Sequence, residues 1–69
     1  MKISARNVIK GKIVAIKKGA TTAHVRIDIG NKMIVTSSIT NEAVEALKLK
    51  TGKSAYAVVK ASDVMVAVD

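Results

Sequence analysis

The stretch AHVRIDIGNKMIVTSSI, residues 23–39, decides the fold. Its first seven residues alternate, with Ala23, Val25, Ile27 and Ile29 on one face and His24, Arg26 and Asp28 on the other. A period of two marks a half-buried strand, because successive strand side chains point to opposite faces. Gly30 and Asn31 tolerate positive φ and read as a tight hairpin turn. KMIVTSSI, residues 32–39, is then the returning strand, with Met33, Val35 and Ile39 toward the core.

Working outward, VIKGKIVAIKKG (8–19) is rich in β-branched residues and reads as a long strand ending at Gly19. Gly11 in its interior suggests a bulge or a sharp bend. TNEAVEALKL (40–49) carries the one helical signal. Thr40 can cap it, Glu42 and Glu45 suit its positive end, and Val44 and Leu47 form a short apolar stripe. SAYAVVKA (54–61) and DVMVAV (63–68) read as two further strands. The expected fold is therefore all-β: a five-stranded, OB-like Greek-key barrel with one short helix after the third strand.

The 69 residues allow a single domain, residues 1–69. A domain this small buries only roughly 60% of its unfolded surface. With no cysteine there is neither a disulfide nor a thiolate metal site to compensate. Association with further copies is the remaining source of stability. The net charge of +7 calls for an anionic partner: nucleic acid, anionic lipid or a small oxyanion. MKISARN turns polar too early for a secretory signal, and apolar runs such as VMVAV are too short to span a bilayer. The expectation is a cytoplasmic protein with no membrane partner.

Two short segments carry the candidate chemistry. SARN places Ser4 and Arg6 two residues apart, and KAS places Lys60 and Ser62 at the same spacing. On a strand each pair would project from one face. Each joins a permanent cation to a hydroxyl donor. Molybdate, tungstate and sulfate are tetrahedral dianions without protons, so they need only donors and about two balancing cations. Arg supplies a planar fork, Lys a compact charge and Ser a rotatable hydroxyl. Backbone N–H groups near Ala5, Asn7 and Ala61 are placed to complete such a shell. A Ser or Arg at a strand end is ordinarily just solvated surface, and the spacing alone does not bring the two pairs together.

The opening MKISARNVIKGKI, the closing NEAVEALKLKTGKSAYAVVKASDVMVAV and the overall length resemble the molbindins, small cytoplasmic molybdate-binding proteins made of one Mop/TOBE-like domain. The resemblance runs along essentially the whole chain. It implies an OB-like barrel assembled as a hexamer, a trimer of dimers, with oxyanions held between subunits. Its SARN and KAS matches imply that Ser4, Arg6, Lys60 and Ser62 hold the anion, with Ala5, Asn7 and Ala61 alongside. A second oxyanion site is implied near Thr21, Thr22, Thr36, Ser37 and Ser38, hydroxyls otherwise explained by β-propensity and loop solvation. The implied ligand is molybdate or tungstate, with no organic cofactor and no metal ligated directly by a side chain. The implied role is intracellular molybdenum storage or homeostasis.

Other features have plain explanations. GKS at 52–54 matches the end of a P-loop, but Leu47 stands where that motif needs Gly, so it reads as a turn. His24 has no Cys or second His to join it as a metal ligand. Glu42 and Glu45 have no nucleophile beside them, and no catalytic constellation is present, so an enzyme is not expected. A basic OB-like nucleic-acid-binding module is the alternative. It is the weaker reading, since single-strand binders stack bases on aromatic rings and Tyr56 is the sole aromatic. A purely structural assembly domain is a third.

Overall fold

The computed structural model describes residues 1–69. Four antiparallel strands, β1 (Asn7–Lys18), β2 (Thr22–Gly30), β3 (Met33–Thr40) and β4 (Ser54–Val59), form one curled sheet in the order β3-β2-β1-β4. A short helix, α1 (Asn41–Ala46), follows β3, and a single 3-10 turn (Ala61–Asp63) follows β4. The core forms where the alternation of β2 requires it. Ala23, Val25 and Ile27 are buried together with Ile13, Ala57 and Val44 of the helix. No polar or charged residue is buried.

The hairpin turns one residue later than the Gly30-Asn31 expected. Gly30 pairs with Met33, and Asn31 and Lys32 between them both have positive φ. Positive φ at both central residues is the two-residue turn that matches strand twist. Gly30, itself at φ 97, takes up a register shift, and its N–H donates to Asp28 Oδ1 at 2.8 Å. Val35 and Ile39 pack on the core as expected, but Met33 lies beside the turn and is exposed.

Gly11 is not itself the bulge. The register of β1 against β2 shifts between Ile13 and Ala15, leaving Val14 unmatched. Gly11 serves a close approach of backbones instead. A Cβ there would lie 2.5 Å from the Asp28 carbonyl oxygen and 2.7 Å from Ile27 Cγ2. The glycine lets β1 bend onto β2 where a side chain would hold them apart.

The helix is shorter than its sequence signal. Thr40 Oγ1 accepts the Ala43 N–H at 3.0 Å, as its capping role requires. At the other end Lys48 takes a positive φ, its N–H donates to Glu45 O, and the Leu49 N–H donates to Val44 O. That is a Schellman stop with lysine in the position glycine usually fills. Leu49 thereby packs on the core, and Leu47 is left exposed beyond the helix rather than forming a stripe with Val44.

The fifth expected strand does not form within the chain. The β1–β4 ladder closes at Asn7↔Val59, and residues 64–69 have no strand beside them. Val64 is 53% exposed, and Met65, Val66 and Val68 are at least 90% exposed. Their β-branched, apolar composition gives residues 63–68 a strand's propensity, but they add to neither free edge of the sheet, β3 or β4. An open, mostly apolar cavity of about 420 Å³ is lined by Ile13, Val25, Ile27, Ile39 and Leu49 among others.

Candidate functional site

Ser4, Ala5 and Arg6 sit just ahead of β1 in a bent segment, not on a strand. Lys60, Ala61 and Ser62 enter the 3-10 turn just after β4. The same-face argument from strand spacing therefore does not apply to either pair. What unites them is the antiparallel pairing of β1 with β4. Because Asn7 is opposite Val59, the residues before β1 and after β4 leave the sheet at one point. Ser4, Ala5, Arg6, Lys60, Ala61 and Ser62 line a single cleft of about 480 Å³, with Ile3 as their apolar neighbour.

The electrostatic character of that cleft follows from its lining. It holds one guanidinium, one ammonium and two hydroxyls, and no carboxylate. None of these four side chains forms a hydrogen bond or ion pair within the chain. The backbone N–H groups of Ala5 and Arg6 are likewise free of any intrachain acceptor. Such a set has no carboxylate to take a ligand's proton and several donors for its oxygens. Its two cations can offset about two negative charges and its donors can bond to an anion's oxygens.

Asn7 has a role the sequence did not reveal. Its side-chain Nδ2 donates to the Val59 carbonyl at 3.3 Å, tying the start of β1 to the end of β4. A strand-opening Asn carries no signal for such a bond until its partner strand is known.

Of the five hydroxyls of the second expected site, Thr22, Thr36 and Ser38 share the exposed face of the β2–β3 hairpin. Thr36 and Ser38 are exposed and lie opposite Arg26 and His24, while Ser37, on the other face of β3, lines the apolar cavity. Thr22 pairs with Thr40, and the Thr21 carbonyl accepts the Asn41 N–H at 2.9 Å. One protomer does not gather these residues into a cleft. Lys53 of the GKS segment is committed elsewhere, donating to the carbonyls of Leu47 and Lys48 at 3.0 and 3.2 Å. No cluster of three or more His, Cys, Asp or Glu is present, and no helix is long and apolar enough to cross a membrane.

The TOBE domain family model matches residues 3–66, nearly the entire chain and both halves of the cleft. The chain belongs to the TOBE domain family. Among similar proteins, a probable molybdenum-pterin-binding protein of Haemophilus influenzae is 51% identical over 69 residues, covering all of both chains. The crystal structure of a molybdate-binding protein from Sporomusa ovata superposes with a TM-score of 0.92 at 32% identity, over 99% of this chain and 100% of that one. The cytoplasmic molybdate-binding protein ModG, in a molybdate-bound crystal form, gives 0.89 at 43% identity. This TOBE domain matches 94% of its own length to 46% of ModG's.

Proposed function

We propose that this TOBE domain binds molybdate, and tungstate by the same chemistry, as a cytoplasmic storage or homeostasis protein for molybdenum. The observation that carries the reading is the convergence of Ser4, Arg6, Lys60 and Ser62 on one cleft with every donor uncommitted. Relatives similar along the full length bear molybdenum- or molybdate-binding names. Hydrogen phosphate fits the cleft less well, because no carboxylate stands there to accept its proton. Sulfate has the same charge and shape and differs mainly in size, which makes it the demanding competitor. The reading involves no catalysis.

The cleft is wide and open in one copy, which favours an anion held between subunits of a hexamer, a trimer of dimers. Two unit charges 4 Å apart attract by about 1 kcal/mol in bulk water and about 4 kcal/mol at an effective dielectric of 20, so a second copy covering the cleft strengthens the same ion contacts. Residues 64–69 support association independently. Four of their apolar side chains stand in solvent, and burying each fully contributes roughly 1.5–3 kcal/mol. The open apolar cavity offers a strand-sized place for such a tail.

Titration calorimetry tests the ligand: molybdate and tungstate should release heat and saturate, phosphate should not, and Arg6→Ala should bind far more weakly. A flat molybdate titration with correctly folded protein sinks the reading. Analytical ultracentrifugation of the full chain against one ending at Asp63 tests the assembly, which should be lost on truncation.

A further inference from the structure

The four donors of the cleft are held by nothing but the backbone that carries them, since none bonds to another part of the chain. Their mutual placement therefore depends on how firmly the two segments leaving the sheet are fixed to each other. At that exit the ladder is at its last pair, Asn7↔Val59, where strand pairing frays most readily. One side chain crosses the gap. Asn7 Nδ2 donates to the Val59 carbonyl at 3.3 Å, linking positions 52 apart in sequence, and the contact is partly buried. Arg6 precedes Asn7 and Lys60 follows Val59, so this bond joins the two residues adjacent to the two cations.

We infer that Asn7 is a positioning residue of the anion site, acting through Val59 to fix the separation of Arg6 and Lys60. It need not touch the ligand with its side chain. Without the clip the two cations are free to drift apart under their mutual repulsion whenever the cleft is empty. Binding must then restore their geometry, and that restoration weakens affinity. The inference rests on the anion-binding reading above and adds a mechanism to it.

Asn7→Ala and Asn7→Asp test it beside Arg6→Ala. For Asn7→Ala the molybdate affinity should fall roughly two- to tenfold, the net worth of one such bond. Asn7→Asp retains the shape, loses the donor and sets a carboxylate near the anion, so its loss should be larger. Hydrogen exchange at the Asp63 and Val64 amides, which bond back to Lys60 and Ala61, should quicken in ligand-free Asn7→Ala, while the amides of Ile13 and Val25 keep their protection. Asn7→Gln, which keeps an amide donor, should recover part of the affinity. If Asn7→Ala binds as tightly as the parent while Arg6→Ala does not, the clip is wrong and the site stands. If the parent itself binds no molybdate, the underlying reading fails instead. If Asn7→Ala loses core protection along with affinity, its effect is on folding and the positioning role is overturned.

Discussion

Around Ile13, Val25 and Ile27 the side chains are apolar and enclosed, whereas around Arg6 and Lys60 every donor side chain is open to solvent. The first region spans three strands and the helix and contains no buried polar group. The second is assembled from two segments outside the strands, with Ile3, Ala5 and Ala61 as its apolar lining. One region holds the fold and the other holds uncompensated charge. Their separation means that a cation can be removed from the cleft without opening the core. The same separation leaves the cleft mechanically soft, and only the β1–β4 ladder and its Asn7 clip join it to the core.

The sharpest way to break this contrast is from the enclosed side. Ile13 is fully buried, and Ile13→Ala should lower unfolding stability by about 2–5 kcal/mol, read from urea melts. That is a large share of what a chain this size possesses. A loss well under 1 kcal/mol would mean that the core is not organised around this residue. From the open side, Arg6→Ala should cost about 1.5–3 kcal/mol of molybdate binding, roughly 10- to 150-fold in affinity, with the ligand-free melt unmoved. A matching drop in ligand-free stability would show the two regions to be coupled after all.

Gly11→Ala probes the approach of β1 to β2, where the added Cβ meets backbone and not a flexible side-chain tip. We expect about 1–3 kcal/mol of destabilisation, again from urea melts; a neutral result would show that the strands can part there freely. The smallest expected effect is at Thr40, whose cap on the helix is one hydrogen bond at 3.0 Å. Thr40→Ala should cost about 1 kcal/mol of stability and leave molybdate affinity unchanged by calorimetry.

The legible parts of the sequence were those with a local cause. Alternation at 23–29 located β2 and its buried face, and Thr40 marked the start of the helix. Ser4, Arg6, Lys60 and Ser62 stood out by residue type and by family resemblance, and the structure brings them to one cleft, although the strand geometry expected for them is absent. The helix end at Lys48 was not legible, because lysine in a left-handed conformation gives no warning in sequence. Nor was the fate of residues 63–68, an apolar, β-branched run that reads as a strand but finds no neighbour in its own chain.

By itself, the sequence determined which β2 residues seek enclosure, which residues carry charge and hydroxyl donors, and where the helix starts. Those are properties of side chains and of their immediate neighbours along the backbone. Only the tertiary structure decided that the two ends of the chain meet, because that depends on β1 pairing with β4 in the register that sets Asn7 against Val59. That register goes with the packing of Ile13 and Ala57 in a shared core, a contact between residues far apart in sequence.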